Sequence, residues 1–267
     1  MYKAVFIDID GTLLRDDLTI GEATRRSIQR VYKKNISVIL VSARLLDSIV
    51  PVSKAIGTNN YPAVCLNGSY IAMNEETTYR SVIDPEIVIR VQEQARQFNT
   101  TIVYYLERER LAEANTQWTE YEQQITDARI KIDSFSNMIK DWKARGTGPN
   151  KILIMGDVEQ IRLTENLLQS LFYDQLHIYA SKPTYLEIIN KDASKWSAIR
   201  FLINRFNIST AEVIAIGDNF NDKEMISFAG MGVAMGNAPA EIKEVAKFIT
   251  DTNNNDGVGK VLDILIP

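Results

Sequence analysis

The 267-residue sequence has a single cysteine, Cys65, and a single histidine, His177. One cysteine excludes an intramolecular disulfide and agrees with a reducing compartment, so the cytoplasm is the expected location. The surroundings of Cys65, AVCLN, are those of a small buried hydrophobe rather than a nucleophile. His177 lies in DQLHIYAS on an expected strand, and without a second histidine it is a poor candidate for a metal ligand or general base. No apolar stretch approaches the roughly 18 to 20 residues needed to cross a bilayer, and Asp8 and Asp10 interrupt a signal-peptide reading of the N-terminus. A membrane partner is therefore not expected. Positive charge is not in excess either: the formal net charge is −4 and the pI is near 5.3. That argues against binding nucleic acid through a broad basic surface, while a local basic cluster can still hold a small anion. Low-complexity tracts and internal repeats are absent, and nothing in the sequence indicates an oligomeric state.

What is present is a globular composition, 45% hydrophobic and 24% charged, in a chain long enough for one large or two ordinary domains. Its first apolar run, FIDIDGTLL, carries two carboxylates, Asp8 and Asp10, two residues apart. Burying an unpaired carboxylate is costly, so this run is either a half-solvated strand or a strand whose acids are there for chemistry.

The rest of the chain favours the second reading. GEATRRSIQRVYKKN has helical spacing and leads into the strand-like ISVILVSA; LLDSIVPVSKAIG reads as a helix ended by Gly57, and YPAVCLNG as a short buried strand. SYIAMN and TTYRSVI read as a hairpin turning at Asn74 to Glu76. The same alternation returns near the C-terminus, where Ser194 to Phe206 is helical, AEVIAIGD strand-like and FNDKEMISFAG helical, followed by MGVAM and AKFITD as short strands. Continuous apolar strands alternating with helices imply a parallel sheet covered on both faces. The expected fold is α/β, a Rossmann-like parallel-sheet core formed by residues 1–83 and 190–267. Residues 84–189 depart from that pattern. They contain a helix at PEIVIRVQEQARQFN, strands at TTIVYYLE and KILIMGD, a helix at VEQIRLTENLLQSLF and two strands around Lys182-Pro183. A long polar stretch containing Trp118 and Trp142 carries no assigned element. This segment reads as an inserted α+β cap domain.

Ligands of open α/β sheets collect beyond the carboxyl ends of the strands. The residues there are Asp8 and Asp10, Ser42 and Arg44, Asn67, then Asp218 with Asn221 and Asp222, and Lys195 opens the helix of the returning segment. Four carboxylates on one edge call for a hard divalent cation, and oxygen ligands in a small site suggest Mg2+. A metal beside Lys195 and Arg44 makes a site for phosphate.

DIDGTLL, SAR, Lys195 and GDNFND, in this order, resemble the four motifs of the haloacid dehalogenase-like phosphohydrolases. The insertion between SAR and Lys195, together with GMGVAMGNA and TNNNDGV, resembles the Cof-type subgroup of that superfamily. The resemblance implies a Mg2+-dependent phosphatase for small phosphorylated metabolites such as sugar phosphates, working through an aspartyl-phosphate. It implies Asp8 as nucleophile and Asp10 as acid and base, with Asp8, Asp218 and the backbone carbonyl of Asp10 on the metal and Asp222 bonding behind it. Ser42, the amide of Ala43, Lys195 and Asn221 would hold the phosphate, and Arg44 and Asn67 are candidates for contact with substrate. Two positions depart from the family pattern: Ala43 replaces a usual glycine, and Trp196 replaces a small residue, which would narrow the mouth of the site or stack on substrate.

Three other readings compete. A phospho-accepting receiver-like protein gathers a similar set but needs neither the insertion nor an acid two residues after the nucleophile. GMGVAMG has the wrong spacing for a dinucleotide fingerprint. A phosphomutase shares the nucleophile and differs only in shielding its phosphoenzyme from water.

Overall fold

A computed structural model describes every residue except 75, 127 and 128, so the turn expected at Asn74 to Glu76 lies partly outside the described residues. The chain divides into two compact units, residues 1–79 with 194–267, and residues 80–193.

The first unit opens with β1 (Ala4–Asp8), α1 (Glu22–Lys33), β2 (Ser37–Val41), α2 (Leu46–Ile56), β3 (Ala63–Cys65), β4 (Tyr70–Met73) and β5 (Glu76–Arg80). The strand β1 is buried at every position, which its unbroken apolar run requires. Helix α1 buries Thr24, Ser27, Ile28 and Val31, one face at helical spacing, and α2 ends at Gly57 with φ +76°.

The second unit holds α3 (Pro85–Ala95), β6 (Thr101–Leu106), β7 (Glu109–Ala112), α4 (Gln117–Thr126), β8 (Lys131–Ile132), α5 (Phe135–Arg145), β9 (Lys151–Met155), α6 (Val158–Phe172), β10 (Leu176–Lys182) and β11 (Tyr185–Asn190). Its sheet runs β10-β11-β9-β6-β7-β8, antiparallel except for the parallel pair β7 and β8. One face, with Tyr104, Ile152, Ile154, Leu186 and Ile188, packs on apolar residues of α3, α5 and α6. Residues 81–83 go with this unit because Asn150 Nδ2 donates to Ser81 O (2.9 Å), Asn190 Nδ2 to Val82 O (3.0 Å) and the Ile83 amide to Pro149 O (2.8 Å). The stretch around Trp118 and Trp142, to which the sequence assigns no element, forms α4, β8 and α5. α5 packs through Met138, Ile139 and Trp142, whereas α4 buries Thr119 and Glu122 and so has no apolar stripe to betray it.

The first unit resumes with α7 (Lys195–Arg205), β12 (Val213–Gly217), α8 (Lys223–Phe228), β13 (Met231–Ala234), α9 (Ala240–Lys243), β14 (Phe248–Ile249) and α10 (Gly257–Leu265). Its sheet runs β14-β13-β12-β1-β2-β3-β4-β5. Every pair from β14 to β3 is parallel, and β4 is antiparallel to β3. On one face Ala4, Phe6, Ile39 and Ala215 pack with Ala198, Ile199 and Leu202 of α7 and Met225 and Ile226 of α8. The chain leaves β1 towards β2 on one side and comes back as β12 on the other. That reversal makes the carboxyl end of β1 the switch point where an open parallel sheet leaves a crevice. Among the described residues, no helix is long and apolar enough to cross a membrane.

Candidate active site

The crevice at the end of β1 is built from Asp8, the last residue of that strand, and three loops that reach it. Asp8 is 5% exposed and accepts a 2.6 Å hydrogen bond from Lys195 Nζ. The ammonium also donates to Asp222 Oδ1 at 2.5 Å, and Lys195 itself is 1% exposed. Lysine is a poor first residue for a helix, since the N-terminal end of the macrodipole repels a cation. Its position here is set by the helix cap: Ser194 Oγ accepts from the Ser197 amide (3.1 Å) while Ser197 Oγ accepts from the Ser194 amide (2.9 Å).

Asp222 is fully buried, and its other oxygen, Oδ2, accepts from the amides of Asp218 and Asn219, each at 3.0 Å. Both its oxygens are thus engaged, which fits a group that shapes the loop and holds Lys195. Asp218 Oδ1 accepts from Thr12 Oγ1 at 2.8 Å. Gly11, with φ +75°, turns the chain out of β1, and a Cβ there would lie 2.4 Å from Asp218 Oδ2. Only glycine supplies both the turn and the clearance. The carboxylates of Asp8, Asp218 and Asp222 bring oxygens within 4.8 Å of one another.

One ammonium cannot neutralise three neighbouring carboxylates. Burial, then the nearby Asp222, push the Asp8 carboxyl well above its usual range, with Lys195 opposing. Asp218 is pushed up to about 6 by burial and then by Asp222, against the Thr12 hydroxyl. Burial alone would lower the Lys195 ammonium, but Asp222 and Asp8 hold it above its ordinary value. A cluster of hard oxygen donors with excess negative charge is chemically suited to a divalent cation, and the residues present fit one.

The other expected residues line the same strand ends. Ser42 is fully buried, and its hydroxyl accepts from the Arg44 amide at 3.1 Å. Ala43 has no positive φ, so the missing glycine costs nothing there. Asn67, 4% exposed, accepts at Oδ1 from Asn221 Nδ2 at 3.0 Å. Leu66 and Asn67 are both left-handed, with φ 50° and 55°, and a Cβ on Gly68 would meet Ser194 O at 2.0 Å. The strained turn therefore lets the loop after β3 lie directly against the start of α7.

Asp10 does not join the acidic group. It is exposed, and its carboxylate takes a two-pronged ion pair from Arg44, Nε to Oδ2 at 2.8 Å and the Nη2 group to Oδ1 at 2.5 Å. The Trp196 ring packs against the core, its centroid 5.8 Å from that of Phe228. His177 sits on β10 in the second unit, and burial pushes the Cys65 thiol up, consistent with an inert side chain. Sequence reading missed Asn237, whose Nδ2 donates to Gly11 O (2.8 Å) and lies 3.5 Å from Asp218 Oδ2. Its one visible sign is its place in MGNA, directly after β13.

The pattern of haloacid dehalogenase-like hydrolases matches residues 5–262. The chain belongs to this family. A candidate phosphatase of Haemophilus influenzae is 37% identical over 269 residues, covering 100% of this chain and 99% of that protein. The 5-amino-6-(5-phospho-D-ribitylamino)uracil phosphatase YcsE of Bacillus subtilis is 28% identical, covering 97% of this chain and 94% of its own length. A haloacid dehalogenase-like hydrolase from Bacteroides thetaiotaomicron superposes with a TM-score of 0.87 at 30% identity, covering 100% of both chains. With these relatives the chain is a phosphoric monoester hydrolase of the Cof-type group, and none of the findings favours a receiver-like protein.

Proposed function

We propose that this hydrolase is a Mg2+-dependent phosphatase of the cytoplasm that acts on small phosphorylated metabolites, sugar phosphates foremost, through an aspartyl-phosphate on Asp8. The observation that carries the reading is the buried group in which Lys195 bridges Asp8 and Asp222 beside Asp218. The carboxylates of Asp8 and Asp218 and the backbone carbonyl of Asp10 would hold the metal, with Asp222 fixing the loop behind them. Mg2+ bound there would neutralise the clustered carboxylates and draw charge from the phosphoryl oxygens.

In the first half-reaction an Asp8 oxygen bonds to phosphorus as the bond from phosphorus to the ester oxygen breaks, and protonated Asp10 gives its proton to that departing oxygen. In the second, water attacks the phosphorus and Asp10 takes its proton. The bond to Asp8 breaks, which releases inorganic phosphate and restores the carboxylate. Ser42, the Ala43 amide, Lys195 and Asn221 hold the phosphoryl oxygens in both steps. For Asp10 to serve, Arg44 must exchange it for another partner, and an anionic or hydroxyl group of the substrate, which Asn67 would also meet, provides one. The exposure of Asp10 supports transfer to water over a shielded mutase reaction. Residues 80–193 carry none of these groups, and we assign them the cap role, selecting the leaving group. The phosphorylated ribityl chain in the name of the Bacillus relative supports polyol and sugar phosphates as the class to try first.

A panel of phosphate monoesters assayed with Mg2+ tests this. Turnover of at least one sugar or polyol phosphate, abolished by EDTA and restored by Mg2+, is expected. Full turnover in metal-free buffer contradicts it.

A further inference from the structure

The two motifs that the catalytic scheme leaves without a role, MGNA and TNNND, meet at one side chain. Asn237 follows β13 on a loop pinned from several directions. Gly236 N donates to Asp251 O (3.0 Å), Met235 N to Gly217 O (3.0 Å), and Gly236 O accepts from Lys243 Nζ (2.7 Å). A Cβ at Gly236 would meet the backbone of Asp251 and Thr252 at 2.9 Å, so the segment around residue 251 can approach only because that position is glycine. That segment delivers the Asn253 amide to Asn237 Oδ1 at 3.1 Å. The Asn253 side chain in turn donates to Leu14 O and Asp16 Oδ1, both at 3.0 Å, which ties the loop after β1 to the same platform.

The carboxamide of Asn237 then has one orientation available. Its oxygen faces an N–H, while its nitrogen faces two acceptors, Gly11 O at 2.8 Å and Asp218 Oδ2 at 3.5 Å. Thr12 holds the other oxygen of Asp218. A carboxylate at 237 would set one oxygen against Gly11 O and Asp218 Oδ2, and a lysine would lack the acceptor for Asn253. The amide joins three segments at one point: the turn after β1, the loop after β12 and the loop at 250–256.

We infer that Asn237 is a positioning residue for the metal-holding edge, fixing Gly11, next to Asp10, and the Asp218 carboxylate relative to each other so that the Asp10 carbonyl and the Asp218 oxygens are set before the cation arrives. The inference rests on the Mg2+ reading proposed above. Groups that orient a metal ligand from behind typically change affinity by about 10- to 100-fold, and the 3.5 Å separation places Asn237 at the low end. Asn237 is exposed and contributes little to the core, so Asn237→Ala is expected to fold.

The test is calorimetric titration of MgCl2 into the full-length, EDTA-stripped protein as wild type, Asn237→Ala and Asn254→Ala, with turnover of p-nitrophenyl phosphate followed against Mg2+ concentration. Asn254 is exposed and ties down Asp16 (2.8 Å) without touching Gly11 or Asp218, so it reports what loosening the platform alone does. Asn237→Ala should bind Mg2+ about tenfold more weakly, with kcat recovering at saturating Mg2+, and Asn254→Ala should bind like wild type. Wild-type affinity in Asn237→Ala, equal weakening in Asn254→Ala, or a kcat that saturating Mg2+ fails to restore would overturn the inference. A wild-type protein that takes up no Mg2+ would overturn the magnesium reading itself.

Discussion

Both units of the molecule bury charge, and they balance it differently. In the second unit, Glu122 is 5% exposed and accepts from two tyrosine hydroxyls, Tyr105 at 3.0 Å and Tyr185 at 2.9 Å. Nearby, Lys151 pairs with Glu187 at 3.3 Å, its ammonium 4.5 Å from the Tyr105 ring, and buried Arg110 donates to Thr126. Acids and bases match there, and each carboxylate has its donors. In the first unit Lys195 faces Asp8 and Asp222 with Asp218 alongside, so negative charge is left over. Burial of ionisable groups is thus a weak sign of function by itself. An imbalance at a strand end, which a cation and a phosphate would correct in turn, is a strong one.

The comparison breaks most sharply at the nucleophile. Asp8→Asn should reduce phosphatase turnover by at least about 10³-fold, the scale seen when a covalent nucleophile is removed, while the metal-free protein melts no lower than wild type because a repelling buried charge is gone. Glu122→Gln in the second unit should reverse both effects, keeping turnover of p-nitrophenyl phosphate and lowering stability by about 1–3 kcal/mol as its oxygens lose strong hydrogen bonds. Steady-state kinetics and thermal melts on the two variants decide it. If Asp8→Asn is the more destabilised of the pair, the imbalance argument fails.

Lys195→Met should come next, for it removes the one cation between Asp8 and Asp222. Breaking a buried pair costs about 3–5 kcal/mol, and Mg2+ should recover part of that in the melting temperature by taking over the counter-charge. Equal melting of wild type and variant without metal would show that Lys195 is dispensable to the cluster. The smallest effect is on pH. The Asp218 carboxyl titrates near 6 in the folded protein, above the ordinary 3.8. Its folded form holds the proton that the unfolded chain has already released, so metal-free stability should fall as pH rises from about 4 to 6. Saturating Mg2+ should flatten that slope, and a metal-free protein that gains stability across the window would contradict the assignment.

The sheet of the first unit was legible because its parallel strands AVFID, SVILV and VIAIG are buried on both faces and read as apolar runs, with acids appearing only at their carboxyl ends. The second unit was legible where one face is apolar, as in KILIM, and illegible at α4, where Thr119 and Glu122 are the buried residues. Pattern reading assumes that buried means apolar, and that helix packs on the polar face of its sheet. Two features of the site were hidden for another reason. The Asp10–Arg44 pair and the contacts of Asn237 join residues far apart in sequence, and no local spacing specifies which partner a polar side chain chooses.

The central claim is that Asp8 becomes phosphorylated and Asp10 serves first as acid and then as base. Asp10→Asn separates these jobs by leaving group, since p-nitrophenolate departs without a proton and an alkoxide does not. Rapid mixing of this variant and Mg2+ with p-nitrophenyl phosphate should release a burst of nitrophenolate approaching one per active site. Turnover should then slow, because the amide cannot deprotonate water to clear the phosphoenzyme, and an alkyl phosphate should be nearly inert. Undiminished steady turnover of both esters by Asp10→Asn, with no burst, would show that Asp10 is structural and that the mechanism is wrong.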